Sequence, residues 1–237
     1  MPHHPIRFDA RRRALRALGG LGTLACFVPA ARAAASRDTP ACVLAPAMTE
    51  GPFFVDAGLE RADLTAGTST PGVRSALPLA LTIRLADVRN GCRPVPGIQV
   101  DVWHTDALGR YSGVQGEHGQ TFCRGFLRTD ADGSVAFRTV YPGWYPGRTI
   151  HIHVKARRHD PSRQTTYAFT TQIFFDEALN DAVMALPVYD SRGPRTTRNA
   201  RDGIYGDAKR LITRAALRRD GTPTANAAIT LGLDLPA

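Results

Sequence analysis

Residues 141–153, Tyr-Pro-Gly-Trp-Tyr-Pro-Gly-Arg-Thr-Ile-His-Ile-His, gather phenol, guanidinium and imidazole groups within one short run. His151 and His153 stand two apart in an alternating segment that reads as a strand. Period-two geometry puts both imidazoles on one face, where two nitrogens can converge on one ion. Tyr145 lies just upstream in a Pro/Gly-rich turn that can fold its phenol back toward the same point. A phenol with a pKa near 10 becomes a metal ligand only by ionising. A hard, highly charged cation favours that ionisation, so two histidines with two tyrosines suit Fe(III) better than zinc or Fe(II). The Fe(II) oxygenase pattern takes two histidines and one carboxylate, and no carboxylate stands near this pair. A cupin would place a glutamate shortly after its His-x-His, where this chain has Val154-Lys-Ala-Arg-Arg158.

The elements that must position these groups read as short strands. Residues 77–85 alternate, with Pro78 near the start, where a missing donor is tolerated. Asn90-Gly91 signals a turn, and residues 97–103 resume the alternation. Residues 126–129 and 134–140 flank Asp130-Ala-Asp-Gly133, which predicts a hairpin connection. Further strands are predicted at 149–157, 165–175 and 227–233, with one short helix at 176–186. Residues 34–48 read as an irregular lead-in, 49–54 as a turn carrying two aromatics, and 73–76 as loop. This pattern predicts an all-β chain, an antiparallel β-sandwich with one or two short helices.

A chain of 237 residues suffices for one domain with a real core. Arg11-Arg12-Arg13-Ala-Leu-Arg16 precedes an uncharged stretch from Ala17 to Ala31, and Ala31-Arg32-Ala33 offers small residues at cleavage spacing. This predicts a twin-arginine-like export signal over residues 1–33 and a mature domain over 34–237. The apolar run of about 15 residues falls short of the roughly 20 that a span needs. No stable membrane insertion is therefore expected after cleavage, and the product is periplasmic or extracellular. Cleavage ahead of Cys26 as a lipoprotein is disfavoured by Thr23, where an aliphatic residue is usual. Residues 1–33 hold six arginines and one aspartate, so the net charge of +9 falls to about +4 without them. The remaining basic residues cluster over 192–219 with Tyr205 as their only aromatic, which reads as a solvated face and not a nucleic-acid site. Cys42, Cys92 and Cys123 allow one disulfide and one thiol, with the pair left open. Their spacing disfavours a zinc–cysteine site.

Three motifs in order carry a resemblance: Thr49-Glu-Gly-Pro-Phe-Phe54, Asp101-Val-Trp-His-Thr-Asp-Ala-Leu-Gly-Arg-Tyr111 and Pro142-Gly-Trp-Tyr-Pro-Gly-Arg-Thr-Ile-His-Ile-His153. Together they resemble the intradiol ring-cleavage dioxygenases, the family of the catechol and protocatechuate enzymes, over residues 49–175. The resemblance implies a β-sandwich holding non-haem Fe(III) through Tyr111, Tyr145, His151 and His153. It also implies a catechol-type substrate that binds through both oxygens and displaces Tyr145, which accepts a proton. Cleavage by dioxygen then gives a cis,cis-muconate-type diacid. Arg148 would stabilise negative charge on the substrate, Gln172 would hydrogen-bond beside it, and Trp103 would wall the pocket. Taken singly each group is ordinary: a His-x-His pair is often structural, Tyr111 a core or rim residue, Arg148 a surface arginine. His104, His118 and His159 match no ligand position and read as ordinary polar residues.

The chain departs from the family in three places. The spacing from Tyr145 to His151 is shorter than in the cytoplasmic members, Gly147 replaces an aromatic of the protocatechuate enzymes, and the lead-in has no room for a helical dimerisation region. These departures imply a more open pocket and a monomer or weak homo-oligomer. The alternative reading is a non-catalytic, transthyretin-like binding module that keeps the sandwich without turnover.

Overall fold

Strand β1 (Pro78–Asp87) buries every second residue, so Leu79, Leu81, Ile83 and Leu85 enter the core as its alternation requires. Each of these side chains contributes about 1.5–3 kcal/mol by leaving water. On one side β1 pairs antiparallel with β2 (Arg93–Pro94) and β5 (Ser134–Val140). On the other it pairs in parallel with β9 (Thr224–Leu233), which pairs antiparallel with β8 (Arg214–Arg218). The second sheet runs β4 (Arg124–Arg128), β3 (Gln99–Trp103), β6 (His151–His159), β7 (Thr165–Phe174), antiparallel throughout. Val100, Val102, Ile152, Val154 and Ile173 face the first sheet and complete a sandwich core. These elements belong to a computed structural model that describes residues 42–66, 68–114, 116–206, 214–218 and 224–236. The export signal predicted over 1–33 lies outside the described residues.

The predicted sandwich is present, with local corrections. The turn at 130–133 is not a hairpin: β4 lies in the second sheet and β5 in the first, so the chain arches across the core. Asp130 Oδ1 accepts the Asp132 and Ser134 amides at 3.0 and 2.8 Å, turn chemistry that an arch and a hairpin share. The predicted helix is α2 (Glu177–Met184), capped by Asp176, whose Oδ1 accepts the Ala178 amide at 2.8 Å. Two single-turn helices, α1 (Pro71–Arg74) and α3 (Pro187–Asp190), start at prolines, whose fixed φ suits a first turn. α1 takes up part of the segment expected as loop.

The second sheet is buried on both faces at one end, and this is what creates the site. Outward-facing Asp101, Trp103, His151, His153 and Gln172 are all buried: residues 49–60 lie as a strap against Trp103, His153 and Gln172, and Tyr111, Tyr145 and Phe174 close around His151. Glu50 Oε2 accepts from Lys155 Nζ at 2.6 Å, and Asp56 Oδ2 accepts from Arg157 Nη1 at 2.6 Å. Phe54 meets the Trp103 ring edge-on at 4.9 Å, with the Lys155 ammonium 4.4 Å from its centroid. A disulfide joins Cys42 to Cys92 at the β1–β2 turn and leaves Cys123 as a buried thiol. The basic segment is only partly a solvated face: Arg195 is buried against Glu177 and Asp181, and Arg198 pairs with the same two carboxylates.

Candidate metal centre

His151 and His153 open β6 on its outward face, and their Nε2 atoms stand 3.2 Å apart. Tyr145 Oη lies 3.3 Å and Tyr111 Oη 3.5 Å from His151 Nε2. Such edges match those of N and O donors set at roughly 2.0–2.2 Å around a shared ion. His151 Nδ1 lies 2.7 Å from the Thr149 carbonyl oxygen, to which it donates, so its Nε2 lone pair points into the cluster. His153 is held by stacking instead, its ring 4.7 Å from that of Trp103 and nearly parallel to it.

The electrostatics suit a cation. Burial, seconded by the Arg148 charge, pulls the His151 imidazole down to about 3, and burial with His151 beside it holds His153 well below its usual value. Both rings are therefore neutral donors at pH 7. Burial pushes both phenols up, Tyr111 far more than Tyr145, where the neighbouring Arg148 charge opposes the rise. They ionise here only if a strongly charged ion replaces their protons. Among the described residues no cluster of three or more His, Cys, Asp or Glu side chains is placed to hold a metal. A metal at this point would have to draw on the phenols, which is the donor set that suits Fe(III).

Each ligand candidate is set by its own local device. Tyr145 starts a tight turn closed by the Arg148 amide on the Tyr145 carbonyl at 3.4 Å, with Gly147 at φ +85°. Tyr111 ends a loop organised by buried Asp106. That carboxylate accepts from the Leu108 amide (2.9 Å), the Arg110 amide (3.0 Å), and Arg110 Nε and Nη2 (3.0 and 2.7 Å). Phe53 of the strap stacks on Tyr111 at 4.6 Å and meets Tyr145 edge-on at 6.1 Å. Arg192 bridges the two tyrosine loops: its Nη1 donates to the Leu108 carbonyl and, at 2.6 Å, to the Trp144 carbonyl, and its guanidinium sits 4.7 Å over the Trp144 ring.

Arg148, Gln172 and Trp103 lie around the same cluster. Arg148 Nη2 donates to Gln172 Oε1 at 2.6 Å, and Gln172 Nε2 donates to the Thr49 carbonyl at 3.0 Å. Trp103, expected as pocket wall, is 1% exposed and stacks beside the His153 ring on the same face of the sheet. Its position opposite His153 in the β3–β6 register explains this. Sequence reasoning gave no role to Phe53, Asp106, Arg192 or Asp202. Asp202 Oδ2 accepts Arg148 Nε at 2.9 Å and the Thr149 amide at 2.7 Å. The only signal for it was its being one of two acids, with Asp207, within an arginine-rich run.

Residues 49–204 match the family model described as dioxygenase. The chain is 31% identical over 150 residues to the chlorocatechol 1,2-dioxygenase of Pseudomonas sp. (strain P51), covering 55% of this chain and 55% of that protein. It is 33% identical over 103 residues to the protocatechuate 3,4-dioxygenase beta chain of Burkholderia cepacia, covering 38% and 43%. The chain thus spans about half the length of these relatives. Among solved structures it is similar to the intradiol ring-cleavage dioxygenase from Tetranychus urticae, with a TM-score of 0.70 and 28% identity over 81% of this chain and 95% of that one. The family model covers most of the described sandwich and the whole donor cluster, and on that match the protein belongs to the intradiol ring-cleavage dioxygenase family.

Proposed function

We propose that the protein carries out Fe(III)-dependent intradiol cleavage of a catechol-type ring by dioxygen, giving a cis,cis-muconate-type diacid. The observation that carries this reading is the convergence of two phenols and two imidazoles, with each phenol oxygen and the two Nε2 atoms 3.2–3.5 Å apart at His151. Tyr111, Tyr145, His151 and His153 would hold the ion. A ferric ion so bound would supply the Lewis acidity that draws electron density from a coordinated catechol.

The remaining chemistry belongs to the chain. Tyr145 is the more exposed phenol and the one beside Arg148, so it is the ligand suited to swing away and take a substrate proton on its Oη. Tyr111, clamped under Phe53, stays. Arg148, oriented by Gln172, offers N–H donors to negative charge on the substrate oxygens, a role whose strength depends on donors being fixed in advance. The strap of residues 49–60 keeps water from the outer side of His153.

We place this activity outside the cytoplasm, in a monomer or weak homo-oligomer that takes catechol and dioxygen and no nucleic acid. The Cys42–Cys92 disulfide supports that compartment, as does the export signal read in residues 1–33. The test is an anaerobic visible spectrum of the purified protein, followed by catechol and then air. A red-brown tyrosinate-to-iron band that shifts with catechol and bleaches in air to leave muconate absorbance is expected. A colourless protein that catechol leaves unchanged refutes the reading in favour of the binding module. In the same assay Tyr145→Phe is expected to weaken the band and slow turnover, and unchanged turnover would refute its place among the ligands.

A further inference from the structure

We propose that Asp202 is a positioning residue for this reaction, fixing the Arg148 guanidinium against the metal centre and offsetting its charge; the inference rests on the function proposed above. The Asp202 side chain is fully buried. Its two oxygens collect four N–H donors: Arg148 Nε at 2.9 Å and the Thr149 amide at 2.7 Å on Oδ2, the Ile204 amide at 2.8 Å and the Tyr205 amide at 3.1 Å on Oδ1. Only a carboxylate accepts on every side and donates on none. Asparagine would turn an NH2 group against two of those donors.

The consequence for the site is geometric. Asp202 grips Arg148 at Nε while Gln172 holds the same guanidinium at Nη2, 2.6 Å away. The plane is thereby fixed from two sides, by the turn after the short 3-10 segment Asn199–Arg201 and by β7. Through the Thr149 amide, Asp202 also sets the backbone whose carbonyl orients His151 at 2.7 Å. The Asp202 carboxylate offsets part of the guanidinium charge, so Arg148 acts through directed N–H donors as well as through the charge that remains. Fixed orientation of this kind matters because a small misplacement of a positioned group costs rate and affinity steeply.

The test is a double-mutant cycle on the full-length, iron-loaded protein, using Asp202→Asn, Arg148→Ala and the pair. The readout is anaerobic catechol affinity from the visible titration, with iron content and melting temperature measured alongside. Asp202→Asn is expected to keep iron and its resting band yet weaken catechol binding roughly tenfold or more. In the Arg148→Ala background it is expected to cost far less, only the part carried by the Thr149 amide, since a residue acting through another is non-additive with it. An equal loss in both backgrounds, no loss, or loss of iron overturns the inference. Should Asp202→Asn fail to fold, Asp202→Glu keeps the charge but displaces the guanidinium, and wild-type affinity in it overturns the proposal equally. A wild type that takes no iron and shows no catechol shift refutes the proposed function itself, a different result from a responsive wild type matched by its Asp202 variant.

Discussion

Replacing Gly109 with alanine tests whether the two tyrosine loops are locked together. Gly109 has φ +71° and Gly147 has φ +85°, so alanine at either meets the same left-handed penalty, about 1–2 kcal/mol. Their surroundings differ. A Cβ on Gly147 meets nothing within 4 Å, whereas on Gly109 it would overlap the Trp144 carbonyl oxygen and Arg192 Nη1 and stand 3.0 Å from the Trp144 carbonyl carbon. Trp144 O is backbone and must move, and Arg192 must release both carbonyls it holds. Hydrogen bonds from a charged donor are worth roughly 1.5–3 kcal/mol each. Gly109→Ala is therefore expected to cost about 4 kcal/mol or more, against about 1–2 kcal/mol for Gly147→Ala. Urea unfolding of the metal-free proteins, with unchanged m-values, measures both. Gly109→Ala should also weaken metal binding, because Tyr145 follows Trp144 directly and Tyr111 lies two residues beyond Gly109. If the two variants agree within about 0.5 kcal/mol, a margin that covers independent surface changes, the loops are not clamped as described.

Removing the disulfide by Cys42→Ser frees a loop of 50 residues and should cost about 4 kcal/mol on the chain-entropy account, read as a lower melting temperature that reductant reproduces in the wild type. His104 is buried between the Thr105 carbonyl and Thr139 Oγ1, each 2.8 Å away, and burial holds it down to about 4. The folded state then binds fewer protons than the unfolded chain, so stability is lost as the pH falls from about 6.5 toward 4, by about 2 kcal/mol at pH 5. His104→Gln should shrink the stability difference between pH 8 and pH 5 by that amount in denaturant titrations. Asp106→Asn sets an amide against the Arg110 guanidinium and should cost about 2–3 kcal/mol, discounted for the partial exposure of Arg110. A melting temperature equal to wild type would show that Asp106 does not organise the Tyr111 loop.

What could be read from the sequence follows from how local its cause is. His151 and His153 share a face by strand period alone, and Tyr145 is near them through one turn, so this half of the cluster was legible without any fold. Tyr111 stands 40 residues from His151, and only the resemblance linked them. Asp202 meets Arg148 across 54 residues, and an aspartate among arginines carries no local pattern that says which one it will hold. The arch at 130–133 was misread because Asp130 and Gly133 encode a reversal of the chain, not the sheet that the next strand joins. For Trp103, alternation gives its face, while the β3–β6 register decides that it stands beside His153.

The division of ligand candidates between strand and loops bears on the proposed chemistry. The histidines sit on β6, His153 paired with both β3 and β7 and His151 with β7, so backbone movement would break the ladders that flank them. Tyr145 sits on a turn whose neighbours are held, Trp144 by Arg192 and Arg148 by Asp202, while its own side chain is restrained by edge-on ring contacts and by its hydroxyl against His151, Tyr111 and Arg148. A ligand that left and returned without disturbing the centre would need this combination of an anchored backbone and a side chain held only through its tip and ring edges. The metal-free site is also uncharged in its donors, with neutral imidazoles and phenols held above their usual ionisation range. Loading a cation on both phenols must then release two protons, so metal affinity should rise with pH throughout the range in which the phenols are neutral. The same coupling would make Tyr145 a base in the proposed reaction, because burial makes its phenolate costly to keep and would favour its taking a substrate proton.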